Sequence, residues 1–213
     1  MSLRTLVLLV AALPAAAQLV PTLRVEPAAG GSVFFVKNTA AQPVTAYLIE
    51  LVGYPGSSYS FWQDKNGAEL IPAGGEQRIP VANMTVGAVP EYVKMEAAIF
   101  ADGSTAGVPE KVAQLTARRR AVLSTTRELV RRLETARSAG TAKPALIAEL
   151  EQWSNSLEPS ARSRRVSQAS IDAAAARERI GETVGKLNGG GIDDALGQLR
   201  AAELSLAASK PPL

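Results

Sequence analysis

Hydrophobic and polar positions change their period once along the chain. Between Leu23 and Thr105 the apolar residues come in short runs separated by turn residues. Residues 22–25 make a short run that ends at Pro27 and Gly30-Gly31. Val33, Phe34, Phe35 and Val36 form a run too short for a helix, and Asn38 to Pro43 makes the next turn. Residues 44–52 alternate, with Val44, Ala46 and Leu48 set against Thr45, Tyr47, Ile49 and Leu51. Residues 57–63 hold three aromatics, and residues 76–81 read as a short strand that Pro80 confines to a sheet edge. Residues 92–101 alternate again, placing Val93, Met95, Ala97 and Ile99 on one face. Short strands at this spacing, punctuated by Asn66-Gly67 and Gly74-Gly75, predict a β-sandwich over 18–107.

From Pro109 onward the period is helical. Val112, Leu115, Val122, Leu129 and Leu133 recur at steps of three and four, with Arg119 and Thr126 in the remaining seam positions. This predicts a helix of nearly 30 residues, about 45 Å long, ended by Gly140. Thr141 is placed to cap a second helix carrying Leu146, Leu150, Trp153 and Leu157, which Pro159 breaks. A third helix is predicted over 161–188, aligning Val166, Ala169, Ala173, Ile180, Val184 and Leu187. Gly189-Gly190-Gly191 stops it, and a fourth spans 192–208 with Leu196, Leu199 and Leu206. Each helix has one apolar stripe that must be buried, in a loose bundle, in a coiled coil or against a partner. The expected fold class is therefore α+β, with a helical region over 108–209 and a disordered tail at 210–213.

The first 17 residues, MSLRTLVLLVAALPAAA, follow another logic. Arg4 precedes eight apolar residues, Leu6 to Leu13, and Ala15-Ala16-Ala17 supplies small residues in an A-x-A arrangement. That order is the layout of a secretory signal peptide, and the run falls short of the ~20 residues a membrane helix needs. The expectation is export, periplasmic or secreted, after cleavage near Ala17. No later stretch is apolar enough to span a bilayer.

Composition then removes whole chemistries. The chain has no Cys and no His. Disulfides, thiolate nucleophiles, zinc–thiolate sites, histidine bases and imidazole ligands are all excluded. There is no Gly-x-Ser-x-Gly elbow, Walker loop or dinucleotide fingerprint, so neither an enzyme nor a cofactor is expected. Asp64-Lys65-Asn66-Gly67-Ala68-Glu69 spaces oxygen ligands as a calcium loop does, but Ala68 and Gly75 stand where such a loop needs ligands. An Asn-Gly turn accounts for the same residues. Asp193-Asp194 fits the first turn of a helix, where carboxylates are favoured. Asn83-Met84-Thr85 matches a glycosylation sequon, which means little in the bacterial exported protein that the high Ala content and the leader suggest.

Two clusters remain as a candidate interaction surface. Tyr54, Tyr59 and Trp62, with Phe61, gather four of the ten aromatics within nine residues, as a platform for sugar or polypeptide or as sandwich core. Charge is split: residues 1–108 hold 6 Lys and Arg against 8 Asp and Glu, whereas residues 109–213 hold 17 against 12. The dense points are Arg118, Arg119 and Arg120, then Arg131 and Arg132, then Arg162, Arg164 and Arg165. They read either as contacts for anionic lipid or cell-wall polymer or as a solvated face with local pairs such as Glu128 with Arg132. No nucleic-acid-binding pattern accompanies them.

Residues 35–39 (Phe-Val-Lys-Asn-Thr) and 43–47 (Pro-Val-Thr-Ala-Tyr), followed by 71–75 (Ile-Pro-Ala-Gly-Gly), resemble bacterial immunoglobulin-like or fibronectin-like modules. The whole chain is similar to uncharacterised exported bacterial proteins that join such a sandwich to a helical C-terminal region. The resemblance implies an immunoglobulin-like β-sandwich and transfers no catalytic residue. The resulting expectation is a non-catalytic module of the cell envelope that binds a protein or glycan, with homo-oligomerisation through the helices. The alternatives are a carboxylate-based hydrolase and anionic-polymer binding through the arginine-rich helices.

Overall fold

The computed structural model describes residues 19–53, 57–82, 92–157 and 167–213, with backbone alone at 52, 53, 57–59 and 92. Residues 1–18, with the expected signal peptide among them, Tyr54, Asn83 to Thr85, Pro159, Arg162, Arg164, Arg165 and Val166 lie outside the described residues.

Alternation and turn residues produce seven strands: β1 Thr22–Ala28, β2 Gly31–Lys37, β3 Val44–Gly53, β4 Ser57–Asp64, β5 Glu76–Ala82, β6 Tyr92–Phe100 and β7 Thr105–Gly107. They form two antiparallel sheets ordered β1-β2-β5 and β4-β3-β6-β7. β5 lies at a sheet edge, as Pro80 requires. After β4, Asn66 and Gly67 have φ of 55° and 79°, and the Ala68 N–H donates to the Lys65 carbonyl at 3.0 Å. That is a type I′ turn, the conformation an Asn-Gly pair favours.

The first core lies between the sheets and draws on both. Phe34, Val36 and Ile79 meet Tyr47, Ile49, Met95, Ala98 and Phe100. Buried Asn38 closes one end of it. Its side-chain amide donates to the carbonyls of Gln42, Ile71 and Pro72 at 2.8–3.2 Å, tying the 38–43 turn to the 71–75 turn. Because no water reaches it there, every one of these bonds counts toward holding the turns together.

The helices follow as α1 Pro109–Ser138, α2 Lys143–Ser156, α3 Gln168–Gly189 and α4 Ile192–Ala207. α1 does two jobs along its length. Its first half lies on the second sheet, where Leu115 and Val112 join Ala46, Leu48, Ala97, Ile99 and Trp62. In its second half Leu129 and Leu133 pack with Leu146 and Leu150 of α2, Ile180 and Leu187 of α3, and Leu196 and Leu199 of α4. The sheet β4-β3-β6-β7 is thus covered on both faces, by the other sheet and by α1.

Double coverage corrects the strand faces expected from simple alternation. Val93 and Met95 face the first sheet, whereas Ala97 and Ile99 face α1. Val44 likewise parts from Ala46 and Leu48. The pairing register explains both. Leu48 pairs with Ala97 but Ile49 with Met95, leaving Glu96 as an extra residue. Val44 pairs with Phe100 but Ala46 with Ile99, leaving Thr45 as another. Such bulges reverse the side-chain alternation beyond them.

Two further expectations are corrected at the ends of elements. Thr141 does not cap α2, whose N-cap is Ala142 without a side-chain hydrogen bond. Pro144 in the first turn has no N–H that needs a cap. α3 is capped by the Ser167 hydroxyl, which accepts from the Ser170 N–H at 3.1 Å, and residues 161–166 of the expected third helix lie outside the description. The tail, expected to be disordered, is held. The Lys210 carbonyl accepts a hydrogen bond from Arg119, and Leu213 packs beside Val122, Leu123 and Leu206.

Candidate functional site

Helix geometry sends three consecutive arginines in three directions, since successive residues turn by about 100°. Arg118 pairs with Glu178 of α3. Arg119 enters the interior and is wholly buried. Arg120 is exposed at the rim of two grooves. The expectation of one contiguous positive surface at 118–120 is therefore corrected.

Each nitrogen of Arg119 meets an acceptor. Its Nε and Nη2 donate to the two oxygens of Asp64 at 2.7 and 3.0 Å. Nη2 also donates to the Thr45 hydroxyl at 3.2 Å, and Nη1 to the Lys210 carbonyl at 3.0 Å. The Thr45 hydroxyl in turn donates to the Ile99 carbonyl at 3.2 Å, which it reaches because the bulge turns it that way. One guanidinium thus fastens the start of the helical half to β3, to the end of β4 and to the C-terminal tail. A fully buried charge is stable only when paired and hydrogen-bonded in this manner. Asp64, weighed above as a calcium ligand, is committed to this role, and no group of acidic residues suited to a metal occurs among the described residues.

The other polar seam residue of α1, Thr126, is also hydrogen-bonded in the interior. The Thr126 hydroxyl accepts from Nε of Arg179 at 3.0 Å and donates to the Val122 carbonyl at 2.7 Å. Arg179, also buried, reaches Glu182 at 2.9 Å.

Arg131 and Arg132 are consumed by acids of their own half. Glu128 binds both, at 2.6 and 2.7 Å, and Arg132 also reaches Glu149 of α2 at 2.7 Å while lying 4.5 Å from the Trp153 ring centre. Arg127–Glu203, Arg200–Glu134 and Arg137–Asp193 add pairs between α1 and α4. Exposed pairs of this kind contribute little each, but together they select which helix faces which. Asp194 accepts from the Gly191 N–H at 3.2 Å, the helix-start role expected of it.

The hydrogen bond from Arg131, reinforced by Arg132, holds the Glu128 carboxyl down at about 2. A depressed folded pKa gives stability that is complete above the ordinary carboxylate value and is lost as the pH falls through the folded one. The Glu128→Gln variant should therefore melt below the parent at about pH 6, and the gap should close by about pH 2. A gap independent of pH in thermal melts would show that Glu128 acts by packing alone. Elsewhere, burial raises the Tyr47 phenol far above its ordinary range, and its hydroxyl donates to Gln77 at 3.1 Å. Hydrogen bonds from the Ser104 side chain and backbone lower Asp102. Each shifted group is thus engaged with a structural partner.

Of the aromatic cluster, Trp62 packs under α1 and Phe61 stacks edge-on against Phe34 at 6.3 Å. Both are half-buried and packed against a core, so each gives part of its surface to structure. Tyr54 and the Tyr59 side chain lie outside the described residues.

A concavity of about 810 Å³ runs between α1, the end of α2 and the start of α3. Ala121, Ala169 and Ala173 form part of its floor and wall, Trp153 and Leu157 one end, and Arg120, Ser124, Thr125, Gln168 and Asp172 its polar points. A neighbouring groove of about 440 Å³ lies along Arg120, Arg127, Arg131 and Leu213. No helix among the described residues is long and apolar enough to cross a membrane. Comparison with protein-family models, curated proteins and solved structures finds no match to this chain.

Proposed function

We propose that this chain is an exported, non-catalytic module of a bacterial cell envelope: an immunoglobulin-like sandwich carried on a helical bundle that binds a partner protein. The observation that carries the reading is the groove between α1, α2 and α3. Its lining mixes five alanines, Trp153 and Leu157 with the polar side chains of Ser124, Thr125, Gln168 and Asp172, and Arg120 is the one arginine of the 118–120 triplet left exposed. Small apolar walls accept the side chains of a polypeptide segment, as helix-in-groove recognition does. Export is supported by the n-, h- and A-x-A order of residues 1–17.

The hydrolase alternative requires two carboxylates facing one cleft. Asp172 and Glu128 line different grooves, and Asp193 and Asp194, which share a third, are occupied by Arg137 and the Gly191 N–H.

A photo-crosslinking residue at Ser124, on the groove rim, should yield a discrete protein adduct in the producing bacterium. Ala169→Arg, which fills the groove from its exposed wall, should abolish that adduct. The same probe at exposed Ala148 on α2 should give none. Equal adducts at both positions, or an adduct indifferent to Ala169→Arg, would refute groove binding. Osmotic-shock fractionation with N-terminal sequencing tests export separately: a released chain beginning after Ala17 supports it, and a cytoplasmic chain retaining residues 1–17 overturns it.

A further inference from the structure

Three positions place Asn or Asp directly before glycine: Asn66-Gly67, Asp102-Gly103 and Asn188-Gly189. Glycine has no side chain to shield its nitrogen or to restrict the peptide bond before it. Its nitrogen therefore reaches the side-chain carbonyl carbon of the preceding residue more readily than that of any other residue. The two Asn-Gly pairs are chemically alike, but the fold treats them differently.

Asn66-Gly67 is fastened on every side. Ring closure would turn its peptide out of the type I′ conformation. The Asn66 carbonyl accepts from the Ser205 hydroxyl at 2.9 Å, and the Gly67 N–H donates to the Asp64 carboxylate at 3.4 Å. Gly67 also lies so close to the tail that a Cβ on it would stand 2.3 Å from the Ser209 Cβ. Asp64 is itself held by Arg119, so freeing this turn means parting the sheet from the C-terminal region. Asp102 is protected by charge: hydrogen bonds from Ser104 keep its carboxyl ionised, and a carboxylate offers no leaving group.

Asn188-Gly189 has none of these ties. Both residues are exposed in the last turn of α3. A Cβ on Gly189 would meet nothing within 4 Å. α1 and α4 close with capping hydrogen bonds from the Ala139 and Ala208 N–H, whereas α3 ends on extended Gly190, with φ of −149° and ψ of −160°. An exposed helix end of this kind opens at almost no cost, whereas a turn locked into the core opens only with large parts of the fold.

We propose that Asn188 is a site of spontaneous deamidation in the folded protein, with water as the co-reactant. The Gly189 nitrogen loses its proton and bonds to Cγ of Asn188. The bond from Cγ to the side-chain nitrogen breaks, and that nitrogen leaves with a proton as ammonia. Water then adds to a carbonyl of the five-membered imide and opens one ring C–N bond. The product is aspartate, or isoaspartate when the main chain continues through the side-chain carbon. Either way one neutral amide becomes a carboxylate at the carbonyl end of α3, where the helix dipole disfavours negative charge. It also adjoins the groove that Gly189 shares with Asp193 and Asp194, so the modification loosens the junction of α3 and α4.

Peptide mapping by mass spectrometry tests this after incubation of the full chain in mildly alkaline buffer, with digestion in mild acid. The peptide holding Asn188 should gain about 1 Da while the peptide holding Asn66 stays unchanged. In concentrated urea both should convert at similar rates, because only the fold separates them. Asn188→Gln should remove the conversion from the native chain. Asn188→Asp should melt about 1–3 °C below the parent. Conversion of Asn66 as fast as Asn188 in the native chain would overturn the proposal. So would an Asn188 that stays intact in the native chain while both convert in urea. An Asn188→Asp variant that melts with the parent would overturn the loosening of the α3–α4 junction.

Discussion

Replacing Asp64 with alanine should destabilise the protein by about 3–5 kcal/mol, because it strands a buried guanidinium without its counter-charge. The side chains are 0% and 8% exposed for Arg119 and Asp64, so solvent cannot take over the lost partner. For a chain of this length the melting temperature should fall by roughly 10 °C or more. The double variant Arg119→Met with Asp64→Leu should recover most of that loss, since apolar groups of similar volume replace a buried pair at little cost. Urea denaturation distinguishes the cases. A loss below about 1 kcal/mol for Asp64→Ala would mean that water reaches Arg119 and that the clamp is weak.

Gly107→Ala should be comparably damaging for a different reason. Gly107 has φ of 108°, and a Cβ there would stand 2.1 Å from the Glu96 carbonyl oxygen and 2.8 Å from the Ala97 Cα. Both obstacles are backbone, so no side-chain rotation relieves them. The clash falls where the Val108 N–H donates to Glu96 at 2.8 Å, the bond that launches α1 from the sheet. A cost of at least ~3 kcal/mol is expected, from backbone strain with displacement of the helix start. Gly30→Ala is the control. Gly30 also has positive φ, 80°, but a Cβ there meets nothing within 4 Å, so it should cost only about 1 kcal/mol. Equal losses in the two variants would assign the effect to backbone conformation alone.

Much of the architecture was legible from local pattern. The change of period near residue 108 marks the passage from strands to helices, Pro80 marks an edge, and Asn66-Gly67 marks a type I′ turn. These features depend on a residue's own chemistry or on neighbours a few positions away. The strand faces were not legible past Thr45 and Glu96, because a bulge is defined by the partner strand's register and leaves no mark in the bulged strand itself. The tail at 210–213 read as frayed because its ties, to Arg119 and to Val122 and Leu123, come from about 90 residues earlier.

The arginine clusters show the same division. A run of Arg118, Arg119 and Arg120 suggests a positive patch when counted, but the helical period already set Arg119 in the apolar seam. A charge at a seam position signals a buried partner, and Asp64 could not be named without the sheet. Thr126 sat in the same seam and proved equally to be half of a buried hydrogen bond, with Arg179. The groove at Trp153 was hidden because its lining is drawn from three helices, α1, α2 and α3, and the alanines among it carry no chemical signature of their own.

These observations share one structural premise: strands and helices form a single cooperative unit, joined by α1, the Arg119 clamp and the returning C-terminal tail. The chain supplies its own reporters, since its two tryptophans fall one in each half, Trp62 on β4 and Trp153 on α2. Urea unfolding followed by fluorescence in the single-tryptophan variants Trp62→Phe and Trp153→Phe, each normalised to the helical circular-dichroism signal of the same sample, measures the coupling directly. Coincidence of the fluorescence and dichroism transitions in both variants is the predicted result. A tryptophan in the sheet that reports unfolding at a different urea concentration from the helices would contradict it.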